Sequence, residues 1–169
     1  MSTSSLLLSL YQTKAWANAE LYAEMQKLSP ATHATERHNA TRILNHIYVV
    51  DQIFAAHLRG EPHGYAASNT PETPELADLQ RAVAASDQWY IDYVAALAPE
   101  QLQQRISFSF TDGDQGQMSR EEILAHIITH GAYHRGAVGA IMRLAHVAPP
   151  RDLFTRYLHN AQPERRQGA

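Results

Sequence analysis

Residues 119–145 read SREEILAHIITHGAYHRGAVGAIMRLA, and this stretch decides the fold. Its apolar residues, among them Ile123 and Ile127, recur at the spacing of one helix face. Ser119 is followed three residues later by Glu122, which is the spacing of a capping box at a helix start. The stretch therefore predicts one long amphipathic helix, which must bury its apolar face against other elements.

Two histidines, His130 and His134, interrupt that apolar face. A spacing of four residues places them one turn apart on the same side of the helix. A buried imidazole needs a partner for each ring nitrogen, and two neutral imidazoles aimed at one point suit a metal ion. The alternative is a pair of ordinary core histidines that are hydrogen-bonded to backbone or water.

Three further stretches have the periodicity of amphipathic helices. They cover roughly residues 4–28, 39–58 and 73–97. Thr73 before Pro74 suits the start of the third helix, because threonine is a good N-cap and proline is favoured in the first turn. Four such helices predict an all-α fold, a four-helix bundle, in a single domain that spans residues 1–169.

The hydrophobic period changes just before the last long helix. Ile106, Phe108 and Phe110 alternate with serines, which predicts a half-buried strand. Residues 112–116 read DGDQG and predict a turn, so we expect a small β-hairpin between the third and fourth helices.

A third metal ligand has to come from a facing helix, and His46 is the best candidate. It lies three residues after Ile43 and four before Val50, on the inward face of the second helix. Three neutral imidazoles leave at least one coordination position open, which is typical of a catalytic site rather than a closed structural one. Imidazole suits zinc, nickel, copper and iron, and we favour zinc or nickel.

Two other histidines are weaker candidates for the ligand set. His57 lies on the same helix as His46 but about three turns further on, roughly 16 Å along the axis. His126 is in register with His130 and His134, but two turns separate it from His134 by about 12 Å. We expect His126 to be a neighbour of the ion rather than a ligand.

The residues near the histidines limit the reactions that the site could catalyse. Gly131 follows His130, where the zinc-peptidase motif needs a glutamate, and this argues against peptide hydrolysis by that route. Asp51 is about 140° away from His46 around the helix, so we expect it to face elsewhere or to pair with a basic residue. No other acid is obviously placed for proton transfer.

Small and basic residues also stand out. Ala132, Gly136 and Gly139 form a pattern that either allows close approach of another backbone or is tolerated without a role. Arg42 and Arg135 are candidates for contact with an anion, although exposed arginines on a helix face usually make no specific interaction.

Composition and charge exclude several classes of protein. The chain has no cysteine, which rules out disulfides, thiolate ligands and a cysteine nucleophile. The net charge of −3 gives no support for a nucleic-acid partner, and no apolar run is long enough to span a membrane. Met1 to Leu10 has no basic region or clear cleavage site, so we expect a helix there rather than a secretion signal, and a cytoplasmic location.

Four short motifs are distributed over the chain: Trp16-Ala17-Asn18, Leu44-Asn45-His46-Ile47, residues 126–136 (HIITHGAYHRG) and Pro149-Pro150-Arg151-Asp152. Together they resemble the motifs of the DinB-like damage-inducible proteins, which share a helical bundle with the YfiT-like metal-dependent hydrolases. The resemblance spans nearly the whole chain, and its His-Arg-Gly element is the most distinctive part.

This resemblance implies a four-helix bundle, usually dimeric, in which three histidines hold a divalent metal ion. Carried over to this chain, the ligands are His46, His130 and His134. Relatives with known reactions are mostly thiol-dependent, so the resemblance implies a transferase or hydrolase that activates water or a low-molecular-weight thiol toward a small-molecule substrate. The alternative is a non-catalytic, metal-binding, dimeric stress-response protein. Ala137 stands where the family commonly has glutamine, which removes no ligand.

Overall fold

The structure, a computed structural model, describes residues 3–166. Within that range the helices are α1 (Thr3–Met25), α2 (Ala34–Arg59), α3 (Leu76–Ala96), α4 (Arg120–Leu144) and α5 (Phe154–Ala161). The strands are β1 (Arg105–Ser109) and β2 (Gln115–Ser119), and short 3₁₀ turns cover Pro99–Gln103 and Pro163–Arg165. Helices α1 to α4 form the predicted bundle, in which α1 packs mainly against α3, and α2 mainly against α4.

The start of α4 confirms the predicted capping box. The backbone N–H of Glu122 donates to Ser119 Oγ at 3.2 Å, and the N–H of Ser119 donates to Glu122 Oε2 at 2.6 Å. These two bonds satisfy N–H groups that a helix start leaves without intrahelical partners. Ser119 is also the last residue of β2, so the capping box fixes the residue at which the hairpin ends and α4 begins.

The predicted start of α3 at Thr73 is wrong, because the helix begins at Leu76 with Glu75 in the N-cap position. Contacts of Arg42 explain why α3 begins later in the chain than predicted. Its Nη1 donates to the carbonyls of Thr70 (2.6 Å) and Glu72 (3.1 Å), so the preceding loop is held against α2 before a helix can begin.

Helix α2 starts at Ala34, five residues before the predicted Asn39. Arg37, in its first turn, donates from Nη1 to the carbonyl of Met25 (3.3 Å), the last residue of α1, and to that of Leu28 (3.0 Å) in the turn that follows. This contact ties α2 to the end of α1. It depends on the folded chain, so local helical periodicity could not reveal it.

The apolar core lies in two clusters, one at each end of the bundle. The hairpin-end cluster consists of Leu7, Tyr11, Val50, Phe54, Ala55, Leu58, Tyr90, Val94, Leu102, Phe108, Ile123, Leu124 and Ile127. The distal cluster consists of Leu21, Tyr22, Met25, Leu28, Ala40, Leu44, Ile47, Leu76, Leu79, Val83, Val138, Met142 and Ala145.

A buried polar layer lies between the two clusters. It consists of Lys14, Asn18, Asp51, Asp87 and Arg135. Buried charges persist only where they are paired, so this layer needs the internal partners described below.

The predicted hairpin is present, and β1 pairs with β2 in antiparallel register. Phe108 lies opposite Gly116, and a Cβ atom at Gly116 would come within 2.7 Å of the Phe108 ring. Glycine is therefore needed here for the ring to cross the neighbouring strand. Phe110 lies beyond the end of β1 and is 46% exposed, so the predicted strand is one alternation shorter than expected.

Along the part of the chain that the structure describes, no helix combines the length and the hydropathy needed to cross a bilayer. This agrees with the absence of a long apolar run in the sequence.

Candidate metal centre

Three histidines converge on one point between α2 and α4. His46 comes from α2, and His130 and His134 come from successive turns of α4. One ring nitrogen of each lies within 4.8 Å of the others, and no other group of three or more histidine, aspartate or glutamate residues in the described range does so. The structure thus brings together the three residues that the sequence selected.

The distance between the Nε2 atoms of His46 and His130 is 3.0 Å. Two nitrogen ligands at about 2.0–2.1 Å from a shared ion are expected to lie roughly 2.9–3.4 Å apart for right-angle to tetrahedral geometry. The observed spacing is therefore that of two ligands of one ion, and it is equally that of a hydrogen bond between two rings.

The three rings meet at their edges rather than stacking. Their centres lie 4.9 Å apart for His46 and His130, 4.7 Å for His46 and His134, and 4.5 Å for His130 and His134. The planes of these pairs are inclined by 63°, 77° and 66°. Inclined rings can direct nitrogen lone pairs toward a common centre, which parallel stacked rings cannot.

A backbone carbonyl orients His46. Its Nδ1 lies 2.7 Å from the carbonyl oxygen of Ser68, in the loop between α2 and α3. Because a carbonyl only accepts, Nδ1 carries the hydrogen, and Nε2 is the ring nitrogen directed toward His130. A hydrogen bond from the far nitrogen to a carbonyl is the usual support of a metal-binding histidine.

Side chains of α2 hold the loop that supplies this carbonyl. Asn45 Nδ2 donates to Asn69 Oδ1 (2.5 Å) and Thr70 Oγ1 (2.6 Å), and Asn69 Nδ2 donates to the carbonyl of Arg42 (3.0 Å). The role of Ser68 could not be predicted from the sequence, because it contacts His46 through its backbone carbonyl, which every residue type has. The neighbouring polar run Ser68 to Thr70 signals a loop but not its contact with His46.

The electrostatics favour neutral rings. Burial, followed by the neighbouring His134 and His46, lowers the pKa of His130 to about 3. Burial and then His46 also lower the pKa of His134. At pH 7 both rings are therefore neutral, which is the protonation state that binds metal.

His130 has an unmet polar atom. Its Nδ1 is buried and has no hydrogen-bond partner among the residues that the structure describes. An ion bound by Nε2, the atom that faces His46, would leave this Nδ1 as the nitrogen that carries the ring hydrogen. The chemistry of the donor set, three imidazole nitrogens with convergent edges, fits a borderline divalent cation such as zinc or nickel.

His126 and His57 do not join the cluster. His126 lies beside His130 with ring centres 5.4 Å apart and planes inclined by 28°, as its spacing predicted. His57 lies near the hairpin, where its ring stacks on Phe108 with centres 5.0 Å apart.

The polar layer directly adjoins the histidines. Lys14 Nζ donates to Asp51 Oδ2 at 2.7 Å and to Asp87 Oδ1 at 2.5 Å, and Asn18 Nδ2 donates to Asp87 Oδ2 at 2.7 Å. Burial lowers the pKa of Lys14, but the two aspartates together raise it above its ordinary value. Asp51 thus pairs with a basic residue, which confirms one of the two expectations for it.

Gly131, between the two α4 histidines, lets α1 approach. A Cβ atom there would lie 3.1 Å from Arg135 Nη1, 3.7 Å from Lys14 Cε and 3.9 Å from Ile47 Cγ2. The residue that replaces the glutamate of the peptidase motif therefore has a packing role beside the polar layer.

The expectation that Arg135 is exposed is wrong. Its guanidinium is buried, with Nε 2.7 Å from Asp152 Oδ2 and Nη1 3.4 Å from Asn18 Oδ1. At Gly139 a Cβ would lie 3.3 Å from the Pro149 side chain, so the close neighbour is a proline ring rather than another backbone, and Gly136 faces open space.

Comparison with known proteins finds a relation over nearly the whole chain. The sequence model of the DinB family matches residues 1–166. This chain belongs to the DinB family. Within the family, Protein DinB of Bacillus subtilis (strain 168) is 22% identical to it over 172 residues, which cover 96% of this chain and 99% of that protein. No solved structure is significantly similar to the chain. The DinB resemblance of the four sequence motifs is thereby confirmed.

Proposed function

We propose that this member of the DinB family is a metal-dependent enzyme whose ion is held by His46, His130 and His134. The observation that carries the proposal is the convergence of three imidazole nitrogens from two helices within 4.8 Å of one another. A divalent ion held there, zinc or nickel by our assignment, supplies Lewis acidity and makes a bound water or low-molecular-weight thiol a better nucleophile at neutral pH.

The chain's own residues prepare this centre. The Ser68 carbonyl fixes the tautomer and direction of His46, and burial keeps His130 in its neutral form. Three protein ligands leave room for a substrate or nucleophile, as in catalytic rather than structural sites. Gly131 occupies the position of the peptidase glutamate, which argues against peptide hydrolysis by that route. Hydrolysis of other substrates and thiol transfer are both compatible with the centre, and we favour thiol transfer to a small electrophile on the family resemblance alone.

We further propose that the protein acts as a homodimer in the cytoplasm, in keeping with the family resemblance. Its net charge of −3 supports a small-molecule substrate rather than a nucleic acid.

Metal content is the first test. The protein is stripped with a chelator, reloaded with Zn²⁺ or Ni²⁺, and its metal measured by elemental analysis. We expect about one ion per wild-type chain and little in His134→Ala. His126→Ala is the matched control, since its imidazole lies on the same face but outside the cluster, and it should keep its metal.

Activity is the second test. Transfer of a low-molecular-weight thiol to an electrophile such as chlorodinitrobenzene should require the reloaded metal and disappear in His134→Ala. Equal transfer by metal-free and loaded protein refutes the proposal. Stoichiometric metal that raises thermal stability, without turnover of thiol or hydrolytic substrates, establishes the non-catalytic alternative.

A further inference from the structure

A row of aromatic rings leads from the histidine cluster toward the hairpin. The ring centre of His126 lies 5.4 Å from that of His130 and 5.1 Å from that of Phe54. Phe54 in turn lies 5.4 Å from Phe108 on β1. These contacts connect the hairpin to the candidate metal centre through two intervening rings, those of His126 and Phe54.

A pocket of about 80 Å³ lies at the end of this row. Its apolar walls are Val50, Ile53 and Phe54 from α2 with Phe108 and Phe110 from the hairpin segment. It is about half the size of a cavity of roughly 150 Å³ that takes up benzene, so it suits a chain of about three or four carbons.

The pocket borders the metal centre through two residues. Ser68, whose carbonyl orients His46, also lines the pocket. Val50 is four residues after His46, so the two side chains project from the same face of α2 in successive turns. This spacing places the wall of the pocket about one helical turn along α2 from His46.

One of the residues that line the pocket has a buried polar atom without a partner. His57 lines the pocket, and its Nε2 is buried without a hydrogen bond to any described residue. Burial, and then the nearby His63, lowers the pKa of His57, so at pH 7 its neutral ring offers one N–H and one lone pair. A buried polar nitrogen among apolar walls points to a ligand that carries a polar atom.

We propose that this pocket is the specificity site for the substrate's tail, a short aliphatic chain that ends in a hydroxyl or similar hydrogen-bonding group and pairs with His57 Nε2. The inference rests on the proposed function, because it assumes that the reactive group of the same molecule lies at His46, His130 and His134. The hairpin thereby gains a role in substrate choice, with Phe108 and Phe110 as the residues that set tail length.

The first experiment needs no metal. Metal-free protein is titrated with n-butanol and with ethanol, and backbone amide shifts are followed by NMR. We expect n-butanol to shift the amides of Val50, Phe108 and Phe110 at lower concentration than ethanol. An absence of shifts at these positions overturns the pocket, whatever the metal centre does.

The second experiment connects the pocket to the centre. Zinc-loaded protein is titrated calorimetrically with alkyl hydroxamates, whose head group chelates zinc, from acetohydroxamate upward. The dissociation constant should fall about fourfold per added methylene until the pocket is full. Failure of acetohydroxamate to bind counts against the proposed function, whereas binding without chain-length dependence counts against the tail pocket alone.

Variants assign the roles within the pocket. Phe110→Ala should reduce the gain in affinity per added methylene. Leu153→Ala should not, although Leu153 is an apolar residue about as exposed (52%) as Phe110 (46%). A hydroxyl at the chain end should strengthen binding about fivefold in the wild type and have no such effect in His57→Phe. An equal gain in affinity from the terminal hydroxyl in wild type and His57→Phe would show that His57 does not bind the end of the tail.

Discussion

Replacing Lys14 with methionine tests whether the polar layer stabilises the bundle. Lys14 is 1% exposed and lies between Asp51 and Asp87, to which it donates at 2.7 and 2.5 Å. Methionine keeps most of the volume of the side chain but removes its charge and its donors. Both aspartates then remain buried without their cation.

The expected loss follows from these contacts. Hydrogen bonds to charged groups contribute about 1.5–3 kcal/mol each, and breaking a buried ion pair costs about 3–5 kcal/mol. Since the pKa of Asp51 is already raised to about 6, first by burial, this carboxyl can take up a proton and limit the cost. We therefore expect the free energy of unfolding to fall by about 3–5 kcal/mol at pH 7.

The assay is urea unfolding of metal-free protein, followed by far-UV circular dichroism, with midpoint and slope compared between variants. Lys27→Met is the matched control, because Lys27 pairs with Glu24 at 2.6 Å but on the surface, with its side chain 62% exposed. That change should alter stability by less than about 1 kcal/mol. A Lys14→Met loss no larger than this control refutes the role assigned to the layer.

The pH dependence gives a second check on the same variant. The folded pKa of Asp51 lies above its ordinary value of 3.8, so its contribution to stability is greatest at low pH and is lost as pH rises toward 6. Without Lys14, which lowers that pKa, the window moves upward toward neutrality. Lys14→Met should therefore gain stability relative to wild type between pH 8 and pH 5, and a constant difference contradicts the explanation.

Four further outcomes are expected. Chelation should lower the melting temperature of zinc-loaded protein, because bound zinc adds about 2.7 kcal/mol to the free energy of unfolding when free zinc is 100 times Kd. An unchanged melting temperature in scanning calorimetry argues against the site. Because the pKa values of His130 and His134 are lowered, zinc affinity should fall less between pH 7 and pH 6 than that of free imidazole, as a competing fluorescent indicator can measure. Ser119→Ala should cost about 1 kcal/mol in urea unfolding, by loss of the capping box. Gly116→Ala should cost about 1–3 kcal/mol, because its Cβ would meet Phe108 at 2.7 Å, and an unchanged midpoint excludes this packing role.

Much of the fold and the three-histidine cluster could be predicted because the relevant signals are local. The periodicity of 119–145 follows from helix geometry, and the Ser119–Glu122 box closes within one turn. His130 and His134 share a face by spacing alone, and His46 could be chosen because its neighbours mark an inward face.

Two of the errors share one cause, which is contact between distant segments. Thr73 has the chemistry of an N-cap, but Arg42 holds the preceding loop from 28 and 30 residues away. The sequence predicts an exposed Arg135, because its contacts with Asp152 and Asn18 form only in the folded chain.

The sequence by itself determined the helices, the hairpin and the helix faces that carry the three histidines, because hydrogen bonds and hydrophobic periodicity act over a few residues. Only the tertiary structure decided that Ser68 orients His46, that Lys14 joins Asp51 to Asp87, and that an apolar pocket adjoins the centre. Those contacts join groups that are 22 to 73 residues apart. Their formation depends on how whole helices pack, and no local pattern encodes it.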